Sequence, residues 1–157
     1  IEKKYRIKSE KRYRAIAGLS MGGGGSFLYA LRHPEMFSSS CPLSGDMGEI
    51  SYGEFYNKNK EKYGKYRREK VFNYYSNHNA LSVIQNQTIE NLKSVRWYID
   101  CGDNDFLYEG NSMVHIALKK RGVPHEYRVR DGAHNWTYWR SALPEVLSFV
   151  SDKFHQK

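Results

Sequence analysis

Cysteine, proline and long apolar runs are scarce in this chain of 157 residues, which has two cysteines and four prolines. It lacks an apolar stretch of the roughly 18 residues that a membrane-spanning helix needs, so we expect no membrane span. Cys41 and Cys101 fall in predicted buried strands, where disulfide geometry is seldom available, and we expect two inert thiols. No signal peptide is visible at residues 1–4. Because residue 1 is not methionine, we expect the true N-terminus to lie elsewhere.

The charge is unbalanced, with 25 Lys+Arg against 17 Asp+Glu and a formal net charge of +8. A basic balance of this kind fits a nucleic-acid partner, an acidic polysaccharide or solubility alone. No signature of a nucleic-acid-binding module accompanies it, so we expect no nucleic-acid partner. The length fits one domain with a substantial core.

One stretch organises the rest of the chain: an apolar run, a Gly-x-Ser-x-Gly motif and the start of a predicted helix, Ala15-Ile16-Ala17-Gly18-Leu19-Ser20-Met21-Gly22-Gly23. This order is typical of a nucleophile elbow, a tight strand-to-helix turn that exposes one serine hydroxyl. We expect Gly18 and Gly22 to lie where a Cβ would collide with a neighbouring element. Ser20 is expected to have a strained backbone, of a kind that costs about 1–3 kcal/mol.

Two later strands also end in loops with reactive side chains. Asp103 and Asp105 follow the predicted strand over residues 95–101, and His134 follows the last predicted strand, over residues 123–130. Serine, then acid, then histidine, each after a strand, is the chain order of an α/β-hydrolase triad. Alternating strands and helices further predict a parallel sheet.

Three segments carry a family resemblance: Gly18-Leu19-Ser20-Met21-Gly22-Gly23, Cys101-Gly102-Asp103-Asn104-Asp105-Phe106-Leu107-Tyr108 and Gly132-Ala133-His134-Asn135-Trp136-Thr137-Tyr138-Trp139. With them, the chain from about Tyr13 onward resembles the esterase D / feruloyl esterase branch of the α/β-hydrolase fold. The resemblance implies a serine esterase that cleaves feruloyl or acetyl esters of plant cell-wall carbohydrate. S-formylglutathione hydrolysis, acyl transfer to a sugar and a non-catalytic module stay open as alternatives.

A serine hydroxyl needs a base within hydrogen-bond reach to act as a nucleophile, and His134 is the predicted base for Ser20. It is chosen because, of the six histidines, only His134 follows a strand at the edge where a parallel sheet presents its site. The resemblance favours Asp105 as the orienting acid and leaves Asp103 as a loop-capping residue. Asp46, just past the second strand, is the outside candidate.

The Met21 backbone N–H follows the nucleophile and is the predicted oxyanion donor. A second donor normally comes from a loop far upstream, yet only 19 residues precede Ser20. We therefore expect the chain to be the C-terminal part of a longer esterase domain that lacks its N-terminal strands. The segment 103–105 does not continue with the spacing of a calcium loop, so neither a metal nor a cofactor is expected.

Residues 46–80 differ in composition from the rest and are predicted to form a lid insertion. Between Tyr52 and Tyr75 lie six tyrosines, with seven Lys/Arg against three glutamates. These rings could contact substrate or pack as a small core, and both interpretations stay open at this stage. Tyr52, Tyr56 and Trp136 are the predicted substrate-binding residues.

The remaining elements are predicted from the spacing of apolar residues and from residues that begin or end helices and strands. We expect strands over 13–18 and 38–44 and helices over 22–32 and 111–120. Residues 81–83 and then 87–93 are expected to give a short helix, and a last helix is expected from residue 136 onward. Residues 1–7 are expected to be the tail of a helix. Pro42 predicts a bulge or an early strand end, and Pro144 a kink or a fresh helix start. Asn111 and Gly122 are the expected N-cap and C′ residue of the helix between them.

The expected partners are an ester substrate and either the absent N-terminal half or an attached glycanase or carbohydrate-binding domain. A cell-wall esterase would be extracellular or periplasmic, whereas an esterase D-like enzyme would be cytoplasmic.

Overall fold

A computed structural model describes residues 4–48, 51–64 and 66–155. These residues form four strands: β1 (Ala15–Leu19), β2 (Ser39–Leu43), β3 (Arg96–Gly102) and β4 (His125–Arg130). They also form seven α-helices: α1 (Met21–Arg32), α2 (Tyr52–Tyr63), α3 (Arg68–His78), α4 (Ala80–Asn86), α5 (Ile89–Lys93), α6 (Tyr108–Lys120) and α7 (Trp136–His155). A short 3-10 turn, Lys11–Tyr13, precedes β1.

The strands form one sheet in the order β1-β2-β3-β4, and every neighbouring pair is parallel. The predicted α/β fold with a parallel sheet and flanking helices is confirmed. All four strands end at the same edge of the sheet, as parallel strands must, so the loops after β1, β3 and β4 meet there.

Helices cover both faces of the sheet. On one face, α1, α4 and α6 enclose the larger core, whose central side chains include Phe27, Leu31, Ile84, Trp97, Ile99, Val114 and Leu118. On the other face, α7 packs on β2 and β3 through Cys41, Leu43, Tyr98, Tyr138, Trp139, Ala142, Val146 and Phe149. Successive residues of β3 therefore point to opposite cores, as the two-residue period of a strand requires.

Pro42 lies within the sheet without a bulge. It pairs opposite Gly18, and the register on the other side keeps one offset from Ser39↔Arg96 to Leu43↔Asp100. The ladder with β3 records no pair at residues 41 and 42, which fits the missing proline N–H donor. The predicted bulge or early strand end is therefore wrong.

Several element ends differ from the prediction. Residues 4–6 form a turn and no helix, and residues 1–3 lie outside the described residues. The helix predicted over 111–120 begins three residues earlier, so Asn111 is not its N-cap. Its buried amide donates to the Gly45 carbonyl at 2.9 Å instead. Helix α7 continues without interruption across Pro144, so the prediction that a new helix starts there is wrong.

The end of α6 is as expected. Gly122 has a φ of +64°, and its N–H donates to Lys119 O while the Val123 N–H donates to Leu118 O. These two bonds make a Schellman motif, with glycine in the left-handed conformation that other residues avoid.

The tyrosine-rich segment folds into two helices, α2 and α3, which we call the tyrosine-rich helices (residues 52–63 and 68–78). Helix α2 begins with a capping box between Ser51 and Glu54. The two helices enclose a separate small core built on Phe55, Val71 and Tyr75. Of the two interpretations left open for the tyrosines, packing as a small core is the one that describes Tyr75, which is buried.

Both cysteines are free and buried. Burial raises the pKa of each thiol to about 12, so the reactive thiolate is almost absent near neutral pH. Among the described residues, no helix is long and apolar enough to cross a membrane.

Candidate active site

Ser20 occupies the turn between β1 and α1. Its φ is +56°, the strained left-handed region expected for an elbow serine. The second strand holds this backbone in place, because the Ser20 N–H donates to Leu43 O at 3.0 Å and the Asp46 N–H donates to Ser20 O at 3.0 Å. The strain is thus fixed by hydrogen bonds on both sides of the residue.

Gly18 is required for the turn. A Cβ on Gly18 would lie 2.2 Å from the carbonyl oxygen of Gly22, far inside contact distance. A Cβ on Gly22 would meet nothing within 4 Å, so the predicted collision at that position is wrong. The Gly22 carbonyl is the obstacle, and only Gly18 must stay without a side chain to avoid it.

The three residues predicted as a triad are joined by hydrogen-bonding distances, from Ser20 to His134 and from His134 to Asp105. The Ser20 Oγ is 2.8 Å from the His134 Nε2. On the far side of the ring, His134 Nδ1 lies 3.0 and 2.9 Å from the two carboxylate oxygens of Asp105. Both nitrogens of the imidazole are therefore engaged, one by a hydroxyl and one by a carboxylate.

The other two acids make different contacts. Asp103 accepts hydrogen bonds from the Gly132 N–H and the Asn104 side chain, both at 3.0 Å, so it caps the loops, as expected. Asp46 is exposed and accepts from the Gly48 N–H at 3.1 Å. Asp105, in contrast, is only 1% exposed and also accepts from the Leu107 N–H at 2.9 Å. Burial and its two partners fix this carboxylate against the imidazole.

Two aromatic rings hold the imidazole of His134. The ring of Trp139 meets it edge to face at 4.9 Å, and the ring of Phe106 lies 4.5 Å away. Trp139 is itself anchored, since its indole N–H donates to Ser44 Oγ at 3.0 Å. Ser44 has a φ of +46° at the end of β2. The histidine is therefore positioned through α7 and β2 as well as through its own loop.

Large apolar side chains remain exposed around the serine and the histidine. Met21 is 81% exposed, Phe106 72% and Trp136 60%. The ring of Trp136 lies 5.3 Å from that of Trp139, so it adjoins the residue that supports His134. Exposed apolar surface beside a polar centre is typical of a binding site. Met21 also begins α1, which leaves its N–H at the positive end of a 12-residue helix.

Tyr52 and Tyr56 lie elsewhere. Their rings contact each other at 6.0 Å, Tyr52 also contacts Phe72 and Tyr75, and the Arg68 guanidinium lies over Tyr56. No recorded hydrogen bond or ring contact of the described residues joins either tyrosine to Ser20 or His134. The structure gives both tyrosines a packing role, and their contact with substrate stays a prediction.

The sequence analysis did not predict a buried charge cluster that lies close to the loop of His134. Asp100 in β3 has no exposed surface and accepts hydrogen bonds from the phenols of Tyr98 and Tyr138. The guanidinium of Arg130 forms an ion pair with it, and Glu145 of α7 accepts a second bond from Arg130 at 2.8 Å. Arg130 and Tyr138 flank the loop that carries His134, so the cluster fixes both ends of that loop.

The pKa values of Tyr138 and Arg130 are both raised in this cluster. Burial, and then the hydrogen bond to Asp100, raises the pKa of the Tyr138 phenol. Burial is the largest single influence on the pKa of Arg130 and would lower it, but Asp100, Tyr98 and Glu145 together outweigh burial and raise it. Both shifts favour the protonated forms of Tyr138 and Arg130, which are the forms that donate to Asp100.

A metal site in a protein needs several ligating side chains close together. The described part of the chain holds no group of three or more His, Cys, Asp or Glu that could bind a metal ion.

A parallel sheet whose strand ends bring together an elbow serine, a histidine and a buried carboxylate defines the α/β-hydrolase class. Comparison with known proteins gives the family. The chain belongs to the Esterase family, because the family model, described as "Putative esterase", matches residues 1–150.

Individual relatives agree with this membership. An acetyl esterase from Caldicellulosiruptor saccharolyticus is 27% identical over 152 residues, which cover 92% of this chain and 56% of the relative. An endo-1,4-beta-xylanase/feruloyl esterase from Xylanibacter ruminicola is 31% identical over 148 residues, which cover 93% of this chain and 15% of the relative. The solved structure of a ferulic acid esterase superposes with a TM-score of 0.77 at 38% identity, over 98% of this chain and 56% of that one. The chain thus spans about half the length of the acetyl esterase and of the ferulic acid esterase.

Proposed function

We propose that the protein is a serine carboxylic-ester hydrolase that cleaves acyl esters, feruloyl or acetyl, of plant cell-wall carbohydrate. The observation that carries this proposal is the hydrogen-bonded series from Ser20 Oγ through His134 to Asp105, with distances of 2.8 and 2.9 Å. A serine aligned with an imidazole whose other nitrogen faces a buried carboxylate is the arrangement that activates a hydroxyl for acyl transfer.

The proposed reaction has two halves. Ser20 Oγ attacks the ester carbonyl carbon while His134 Nε2 takes the hydroxyl proton, and Asp105 stabilises the resulting imidazolium. The Met21 N–H donates to the oxyanion of the tetrahedral intermediate. The C–O bond then breaks, and His134 returns the proton to the leaving alcohol. A water molecule, deprotonated by His134, attacks the acyl-enzyme and releases the acid, and the proton returns to Ser20.

The substrate class is supported by the surface and by the relatives. The exposed side chains of Met21 and Trp136 offer an apolar wall suited to an acyl group, aromatic acyl groups above all. The names of the relatives include an acetyl esterase and a xylanase/feruloyl esterase fusion. By the same comparison, an attached glycanase domain is the partner we propose. We also propose that residues 46–80 form the lid insertion of a single domain that includes residues 1–157.

The test uses a fluorophosphonate probe and three substrates: methyl ferulate, an acetylated xylo-oligosaccharide and S-formylglutathione. We expect the protein to be labelled and to hydrolyse at least one carbohydrate-type ester. The Ser20→Ala variant should lose labelling and about 10³–10⁶ of turnover. The Ser141→Ala variant, an exposed serine of α7, should keep both.

Two outcomes would overturn the proposal. If Ser20→Ala keeps activity within tenfold of the unchanged protein, Ser20 is not the nucleophile. If the protein hydrolyses S-formylglutathione alone, the substrate class is wrong and the thioesterase alternative replaces it.

A further inference from the structure

A groove of about 540 Å³ lies between α2 and the segment that joins β3 to α6. On one side it is lined by Glu54, Asn57 and Lys58 of α2, and on the other by Phe106 and Glu109. Asp46, which follows β2, also lines it.

Two of the residues that line the groove contact the proposed catalytic residues. The Asp46 N–H donates to the carbonyl of Ser20 at 3.0 Å. The ring of Phe106 lies 4.5 Å from the ring of His134. The groove therefore adjoins both Ser20 and His134, through Asp46 and Phe106.

Helix α2 divides its residues between two faces. Glu54, Asn57 and Lys58 have the i, i+3, i+4 spacing that places side chains on one helical face, and they line the groove. Phe55 points to the opposite side, where it stacks on Tyr63 and contacts Tyr75. The aromatic face is thus used for packing on α3, and the polar face is the one that borders the site.

The chemistry of the groove indicates its ligand. It presents three carboxylates, one amide and one ammonium group beside a single exposed aromatic ring. A purely apolar chain would remove water from these groups without replacing their hydrogen bonds, which is unfavourable. A sugar offers hydroxyl donors and acceptors around its edge and C–H groups on its face, so it satisfies both kinds of surface.

We propose that the carbohydrate that carries the ester, the alcohol side of the substrate, binds in this groove, and that the polar face of α2 selects it. This proposal rests on the proposed function, and it assigns the tyrosines of α2 to packing. The acyl group then lies on the exposed apolar wall of Met21 and Trp136, and the sugar lies on the other side of the scissile bond.

The test compares two esters of the same acid: methyl ferulate and a feruloylated arabinoxylan oligosaccharide. Asn57→Ala and the double variant Asn57→Ala/Lys58→Ala should lower kcat/KM for the oligosaccharide about tenfold or more, the effect of one or two lost hydrogen bonds. Both should leave methyl ferulate hydrolysis within twofold. Lys60→Ala is the matched control, because Lys60 is an exposed lysine of the same helix outside the groove lining, and it should change neither value.

The outcomes separate this proposal from the one it rests on. If the unchanged protein cleaves both esters and the groove variants do not discriminate between them, the groove proposal fails and the esterase proposal stands. The same holds if the protein cleaves methyl ferulate but not the oligosaccharide. If it cleaves neither ester nor any acetylated xylo-oligosaccharide, both proposals fail. Melting temperatures of the variants, expected to equal that of the control, show that a loss of activity is not a loss of fold.

Discussion

Replacing Arg130 by alanine tests the buried charge cluster most directly. The change removes the only cationic partner recorded for Asp100 among the described residues, and Asp100 has no exposed surface. The carboxylate would keep its bonds from the phenols of Tyr98 and Tyr138 but would lose its countercharge. A buried charge without a partner is strongly unfavourable, whereas the intact pair is close to neutral.

The loss of unfolding free energy expected for Arg130→Ala follows from the burial of the Arg130–Asp100 pair. Breaking a buried ion pair on one side destabilises a protein by about 3–5 kcal/mol. The side chain of Arg130 is 29% exposed, so water can reach part of the space it leaves, and we expect the lower end, about 3 kcal/mol. For a chain of this size that corresponds to a fall in melting temperature of roughly 10 °C.

Arg128 provides a matched control in the same strand. It is paired with Glu126, and the two side chains are 45% and 42% exposed. A surface pair of this kind contributes about 0–1 kcal/mol, so Arg128→Ala should change the unfolding free energy little. Urea unfolding followed by tryptophan fluorescence measures both variants. A difference of less than 1 kcal/mol between them would refute the reasoning.

Three further predictions concern the acid, the thiols and the tyrosine-rich helices. Asp105→Asn should lower kcat by about 10⁴, because it would misorient the imidazole, whereas Asp103→Asn should lower it less than tenfold; the reverse ranking in steady-state kinetics would transfer the role to Asp103. Cys41 and Cys101, each with its pKa raised to about 12, should resist iodoacetamide at pH 8 in the native protein and react in urea; rapid native alkylation, followed by mass spectrometry, would contradict their burial. Phe55→Ala should destabilise the protein by about 3 kcal/mol in urea unfolding, and a change below 1 kcal/mol would show that the α2–α3 core contributes little.

The parts of the fold that the sequence predicted correctly have strong local signals. The strand before Ser20 and the helix after it follow from an apolar run and a glycine motif, and Gly122 follows from the helix-ending role of glycine. The strands that precede Asp105 and His134 follow from the same kind of local pattern. The error at Asn111 falls where a distant residue decides. Asn111 has the side chain of an N-cap, yet the Gly45 carbonyl, 66 positions away in sequence, binds its amide inside the helix.

The cluster around Asp100 also could not be predicted fully from the sequence. An acid inside an apolar strand is a signal that the sequence analysis passed over, because acids are rarely buried without a partner. Even with that signal, the partner could not have been chosen from sequence. The strand register places Arg128 opposite Asp100, yet Arg130 is the residue that binds it. Arg128 and Arg130 lie two residues apart on the same face of β4, and Arg130 is the one that also pairs with Glu145 of α7.

The order of the strands explains why the histidine needs so much support. Ser20 follows β1, whereas His134 follows β4, at the opposite side of a four-stranded sheet. With strands about 4.8 Å apart, β4 lies roughly 14 Å from β1, and the loop that carries His134 must cross this distance to bring the imidazole to the serine. A free loop would lose this position in most of its conformations. Trp139 contacts the imidazole edge to face and donates to Ser44, which directly follows β2, a strand between β1 and β4. The Arg130–Asp100–Tyr138 contacts fix the two ends of the loop. The short Ser20–His134 distance therefore depends on packing against β2 and β3, and weakening either support should lower turnover before it unfolds the sheet.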